Sequence, residues 1–338
     1  MRRTLMSKRA SSTKRKQAYH PPNTTLLTPI ERIDFPFGRA YAPLLTHLED
    51  NFKTQEWTKE NRQHLPSVTT IQNIMAKGIG FDKWLGDANS YEDAMQYANK
   101  AAREGTQIHL CLEQLSMGVD IDFDSKYFDP DTQEVREWTN PMIKFMESGN
   151  KFFLDHTIQI EGNEVPLFDS RKDYTGTADM IARIKVEDGL TPAEAKCTDL
   201  KEGMSGRIML DIKTVRNSST IANKFEHHQY QVTAYKELWN GLFPEHPIDF
   251  MGVLYVMNSW RAAPKYKLKL VQEDLTQEWD SMVKLWYQKN GPIKPVYAKP
   301  RPRGIKSCFK ANKNVMVTNK RLKSNTIVTE QEKQKEVA

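Results

Sequence analysis

Two apolar segments, each carrying a single inward-facing acid, constrain this chain more than any other feature. Residues 174–186 run Tyr-Thr-Gly-Thr-Ala-Asp-Met-Ile-Ala-Arg-Ile-Lys-Val, and residues 207–213 run Arg-Ile-Met-Leu-Asp-Ile-Lys. Both read as strands, rich in apolar and β-branched residues. Ile208-Met209-Leu210 should lie in a sheet core. Asp211 and Lys213 are two apart, so on a strand both side chains leave the same face. A charged pair at the end of a buried run is costly unless it is used. A strand-end salt bridge is the plain alternative, because Asp-x-Lys is common by chance. Asp179 stands in an equally apolar strand, before Met180, Ile181 and Ala182, and Gly176 upstream permits a bulge or close backbone approach. One such acid suits a satisfied turn. Two strands each presenting one, with a lysine, fit a site for Mg²⁺ or Mn²⁺.

Other elements frame these strands. Ala94, Tyr97, Ala101, Ile108, Leu112 and Leu115 fall near helical spacing, predicting a long helix over 91–117 closed by Gly118. His109 and Glu113 are four apart and share a face of it; a lone helix histidine is otherwise a core or surface residue. A second helix is predicted from about Thr132 to Leu154, kinked or broken at Pro141. The period then changes. Thr157–Glu161 and Val165–Phe168 read as strands separated by a Gly162-Asn163 turn. Residues 187–206 form a polar excursion, read as a lid or strand-guiding loop. His227–Leu242 reads as a helix with Gln231 and Tyr235 one turn apart, Phe250–Met257 and Tyr266–Leu270 as strands, and Leu275–Tyr287 as a helix with Trp279 and Trp286. Upstream, Pro66-Ser67 gives a helix-start signal ahead of Val68-Thr69-Thr70-Ile71, and Gly78 and Gly80 mark a break before Phe81 and Trp84. Phe35, Phe37, Tyr41 and Trp57 are aromatic anchors before that.

Charge is divided unevenly. Residues 1–30 carry seven Lys/Arg and no acid, residues 291–338 carry a net +9, and the whole chain is +6, which leaves residues 31–290 at −10. An acidic body suits divalent cations, and basic ends suit a polyanion, because each neutralised phosphate releases counterions. Solvated, disordered tails are the bland alternative. Cys111, Cys197 and Cys308 are scattered, so neither a zinc site nor an iron–sulfur cluster is expected. No apolar run is long enough to span a membrane. The basic, hydroxyl-rich start has something of a mitochondrial transit peptide, but Pro21-Pro22 and the lack of an amphipathic stripe weigh against it. No glycine-rich phosphate loop of an ATPase is present.

In order, the motifs are Gly105-Thr106-Gln107-Ile108-His109, Gly176-Thr177-Ala178-Asp179, Leu210-Asp211-Ile212-Lys213-Thr214 and Gln231-x-x-x-Tyr235. This series resembles the RecB-type branch of the PD-(D/E)xK nuclease superfamily. With Pro66-Ser67-Val68-Thr69-Thr70-Ile71 and Lys83-Trp84, it is similar to the mitochondrial genome maintenance exonuclease family and its phage relatives. The resemblance spans about residues 65 to 257. It departs from relatives that hold a four-cysteine cluster, and Asp211 stands where many members carry Glu.

The resemblance implies an α/β fold: a restriction-endonuclease-like core, with a central mixed sheet flanked by helices. The expected organisation is a disordered basic arm (1–30), a helical region contributing His109 (31–156), a nuclease core (157–290) and a basic tail (291–338). Asp179 and Asp211 would bind Mg²⁺ or Mn²⁺, with His109 and the Ile212 carbonyl as further ligands. Lys213 would orient or activate water and stabilise developing charge, and Gln231 would steady Lys213 or the substrate. Ser67, Thr69 and Thr70 would contact phosphate, Trp84 would stack on bases unless it packs in the core, and Tyr235, packed beside Gln231, would also contact DNA. Glu113 would be an outer partner of His109. The implied activity is a DNA exonuclease on single strands or free ends, working beside replication or recombination proteins in the cytoplasm of a phage-infected cell. A structure-specific endonuclease and a non-catalytic DNA-binding factor are the alternatives.

Overall fold

Apolar runs of strand period build a five-stranded mixed sheet whose two faces are both covered by helices. The computed structural model describes residues 4–5, 30–35, 38–43, 63–75, 84–129, 132–186, 190–293 and 309–311. The first strands are β1 (Thr4–Leu5), β2 (Ile30–Phe35), β3 (Gly38–Pro43) and β4 (Leu65–Pro66). Helices α1 (Val68–Gln72) and α2 (Tyr91–Ser116) follow, then β5 (Val119–Asp122), β6 (Tyr127–Asp129), β7 (Glu134–Arg136) and α3 (Asn140–Asp155). The main sheet begins with β8 (Thr157–Phe168) and β9 (Thr175–Lys185), then α4 (Pro192–Ala195), β10 (Ser205–Val215) and α5 (Ile221–Leu242). It ends with β11 (Phe250–Met257), β12 (Lys265–Val271) and α6 (Thr276–Asn290); β13 (Phe309–Ala311) comes last.

The sheet order is β12-β11-β10-β9-β8. Only β10 and β11 are parallel within it, because α5 provides the crossover that a parallel pair needs. Alternate residues of β10 serve two cores. Met209 and Val215 pack with α1, α5 and α6, whereas Ile208, Leu210 and Ile212 pack with α2 and α3. Burial on both faces explains why β10 and β11 are nearly continuous apolar runs. Among the described residues, no helix is long and apolar enough to cross a membrane.

The region expected to be helical from residue 31 to 156 also contains strands. A β2–β3 hairpin pairs with β4, and a small β6–β7 ribbon precedes α3. The helix predicted from Thr132 begins only at Asn140, where Thr139 caps it and Pro141 occupies its first turn. Proline is tolerated there because that N–H has no intrahelical partner, so Pro141 starts α3 instead of kinking it. Gly162-Asn163 is not a turn. β8 runs unbroken through it, with a register shift between Ile160 and Gly162.

Within the polar excursion at 187–206, Cys197–Asp199 pair along the open edge of β12. Thr198 bridges Leu268, and the Asp199 N–H donates to the Leu268 carbonyl. An exposed edge strand is thereby capped. Within the expected arm and tail, Thr4–Leu5 and Phe309–Ala311 both pair with β5. The expectations for the rest of those segments, and for Phe37, Trp57, Gly78, Gly80, Phe81, Lys83 and Cys308, lie outside the described residues.

Candidate metal centre

The site lies where two strands part. β9 and β10 pair from Lys185–Ser205 as far as Met180–Leu210, and the ladder stops there. The next residues inward are Asp179 and Asp211. β10 continues to Val215 paired with β11, while β9 stays paired with β8 down to Thr175. At the fork the Asp179 carboxylate takes over from the missing ladder: its Oδ2 accepts the Ile212 N–H at 2.7 Å. The N–H and C=O of one strand residue project to the same side, so the Ile212 carbonyl faces this gap too.

His109 reaches the fork from α2, its Nδ1 3.5 Å from Asp179 Oδ2. Glu164 enters from β8. It stands between Asn163, opposite Met180, and Val165, opposite Ala178, so Asp179 is its cross-strand neighbour. Its φ of +48° goes with the irregularity earlier in β8, a common way to re-aim a side chain beside a functional site. One ligand atom each from His109, Glu164 and Asp179 lies within 4.8 Å of the others.

Asp211 sits beside this trio and is 1% exposed. Its Oδ1 accepts the Lys213 ammonium at 2.8 Å, and its Oδ2 is buried with no hydrogen-bond partner. An orphaned buried carboxylate oxygen is costly, and a hard cation is one group that removes the cost. Two carboxylates converging with an imidazole, and a third with a free oxygen, form a donor set suited to Mg²⁺ or Mn²⁺.

The charges are interlocked. Burial pushes the Asp211 carboxyl up to about 6, against the pull of Lys213. Burial opposes the charged forms of Asp179 and His109 too, but their mutual attraction prevails, holding the acid below and the imidazole above its ordinary range. Lys213 is likewise disfavoured by burial, yet Asp211 and Asp179 outweigh that and raise its pKa. It is therefore an ammonium at neutral pH.

Helix α5 backs the site. Gln231 donates from Nε2 to the Tyr235 hydroxyl at 3.1 Å. It therefore steadies Tyr235, whereas the Lys213 ammonium is taken by Asp211. Tyr235 is 4% exposed, too buried for the DNA contact expected of it. Its ring lies over Gly176, where an added Cβ would stand 2.5 Å from Cε1. Gly176→Ala is accordingly expected to cost about 1–3 kcal/mol by overpacking, seen as a lower thermal midpoint.

The expected phosphate contacts are mostly spent inside the protein. Ser67 and Thr70 are buried and bonded to each other at 2.9 Å. Ser67 Oγ also caps α1 by accepting the Thr70 N–H, and the Thr70 hydroxyl donates to the Arg39 carbonyl. Thr69 alone of the three is partly exposed, within 2.9 Å of Ser67 Oγ. Trp84 is partly buried ahead of α2, so its ring is not laid fully open for stacking. Glu113 is half-buried one turn beyond His109, but Asp179 and Glu164 are the acids that converge with His109.

Two groups lacked a reading from sequence. Glu164 carried at most a weak signal, an acid just ahead of the apolar Val165–Phe168 run, masked by the polar, turn-like Gly162-Asn163 before it. His228, one turn before Gln231, forms a 2.8 Å hydrogen bond with the Tyr255 hydroxyl, and Tyr255 is the β11 neighbour of Lys213. Burial, then Lys213, depresses the His228 imidazole to about 3. The unfolded chain therefore binds the extra proton first, below its ordinary 6.5. Stability from this group is complete above that value and falls as the pH drops toward 3. Replacing His228 by Asn is expected to flatten the pH dependence of the urea midpoint between about pH 4 and 6.

Compared with models of known protein families and with curated proteins, the chain matches none.

Proposed function

We propose that this protein is a metal-dependent deoxyribonuclease with a PD-(D/E)xK-type core, acting as an exonuclease on single strands or free ends. The observation that carries this reading is the fork itself: His109, Glu164 and Asp179 converge within 4.8 Å, next to a buried Asp211 oxygen without a partner and a lysine on the same strand face. The sequence resemblance and the basic chain ends support nucleic acid as the substrate.

Asp179, Asp211, Glu164 and His109 would hold the cation, with the Ile212 carbonyl available beside them. When bound, a divalent cation neutralises a phosphodiester and acidifies water. Lys213 donates hydrogen bonds to the non-bridging oxygens as charge builds on them, a pre-set cation where charge develops. Its raised pKa supports that role over proton abstraction. Gln231 and Tyr235 close the wall behind it, and the fork keeps the reacting groups on rigid strands.

Digestion of end-labelled linear and circular single-stranded DNA with Mg²⁺, Mn²⁺ or EDTA tests this function. Metal-dependent loss of the linear strand with the circle intact is expected. Cutting of the circle would make the enzyme an endonuclease, and no cleavage with any metal would refute nuclease activity.

A further inference from the structure

The body of the chain, residues 31–290, sums to −10, yet two of its segments hold no acid at all. Residues 212–225 carry three Lys/Arg and residues 250–272 carry four. The fold brings these segments together. β10 and β11 run parallel with Val215 opposite Met257, and just beyond their ends the Ser259 N–H donates to the Arg216 carbonyl at 3.0 Å. The two chains therefore leave the sheet side by side. Arg216 lies three residues past Lys213, roughly 10 Å along a strand.

Two of the lysines are spent within the protein. Lys267 pairs with Asp199 at 3.2 Å, and the Lys269 ammonium sits 4.6 Å from the centre of the Phe225 ring. At the end of the sheet the cations are not spent: Arg216 and Arg261 are exposed, and among the described residues neither forms an ion pair. Trp260 stands between Ser259 and Arg261, and its loop is fastened to α3. Lys144 Nζ donates to the Trp260 carbonyl at 3.0 Å, and the indole N–H donates back to the Lys144 carbonyl at 3.4 Å. The same ammonium lies 5.0 Å from the ring centre. The indole is thus held in place while staying partly exposed. A fixed aromatic ring with exposed guanidinium groups beside it suits a single strand, the ring stacking on a base and the cations tracking the backbone.

We infer that this end of the sheet is where a single strand of nucleic acid docks as it approaches the metal centre, Trp260 stacking on a base and Arg216 and Arg261 holding phosphates. The inference rests on the nuclease reading above.

The test measures binding of a labelled single-stranded oligonucleotide in EDTA over a range of salt, with thermal melting of each variant. Arg216→Gln combined with Arg261→Gln is expected to lower the slope of log K against log salt by about 1.4, two phosphates' worth on a single strand. Trp260→Leu should weaken binding about tenfold and leave the slope unchanged, because stacking releases no counterion. Trp260→Phe keeps a π-face and should recover most of that affinity, which a purely structural role for the indole would not require. Lys201, exposed and ahead of the start of β10 at the opposite end of the sheet, provides the control, and Lys201→Gln should not change the slope. An unchanged slope in the double arginine variant, an unchanged affinity in a folded Trp260→Leu, or a fall of about 0.7 in Lys201→Gln overturns this inference alone when the parent binds and cleaves DNA. A parent that binds the oligonucleotide but cleaves nothing overturns the nuclease reading, while the slopes still decide the docking surface. A parent that binds no oligonucleotide overturns the docking surface.

Discussion

Asp211→Asn is expected to abolish metal-dependent cleavage while leaving the protein folded and able to bind DNA. The carboxylate is 1% exposed and lies between the Lys213 ammonium and the Asp179 cluster. An amide keeps the shape and can still accept the Lys213 hydrogen bond, but it offers a cation no charge. Losing several kcal/mol of charge stabilisation corresponds to a fall in kcat on the order of 10³ or more. Stability should change little, because a buried carboxylate with one unpaired oxygen is itself costly. Single-turnover cleavage together with thermal melting checks both halves. A variant that cuts at the parent rate would place the chemistry elsewhere.

The second large effect concerns stability. Glu161 on β8 is buried between two arginines, accepting from Arg207 Nε at 2.6 Å and Arg183 Nε at 2.9 Å. The two arginines are not equivalent. The Arg183 side chain is 42% exposed and can turn to water, whereas that of Arg207 is 3% exposed. Glu161→Ala therefore takes the carboxylate from a buried guanidinium whose Nη1 bond to the Pro247 carbonyl is to a neutral partner, and a loss of about 3–5 kcal/mol is expected. Equilibrium urea unfolding measures it. Replacing both partners, Glu161→Leu with Arg207→Met, should recover most of the loss, since the desolvation penalty disappears along with the attraction. A loss below about 1 kcal/mol in the single variant would mean that the pair is screened like a surface salt bridge.

What could be read from the sequence follows the reach of each interaction. Asp179, Asp211 and Lys213 were legible because a period of two fixes which side chains share a strand face. The helix carrying His109 was legible because its apolar residues recur at helical spacing, and it runs Tyr91–Ser116 against the expected 91–117. Glu164 was not, because Gly162-Asn163 looks identical in sequence whether it makes a turn or a bulge; only pairing with β9 decides. Ser67 and Thr70 carry the hydroxyls of a phosphate site, but their acceptor is the carbonyl of Arg39, in a hairpin about thirty residues earlier in the chain. No local pattern announces that partner. The fork between β9 and β10 is likewise a property of two ladders together, and it brings His109, Glu164 and Asp179 to one point.

Mn²⁺ binding, followed by the loss of the free-ion electron paramagnetic resonance signal, tests the proposed centre most directly. The parent protein is expected to take up Mn²⁺, and Glu164→Gln and Asp179→Asn should each weaken uptake by about tenfold or more, as loss of a charged oxygen ligand does. A parent that leaves Mn²⁺ free in solution, or uptake that neither substitution weakens, would contradict a metal centre at this fork.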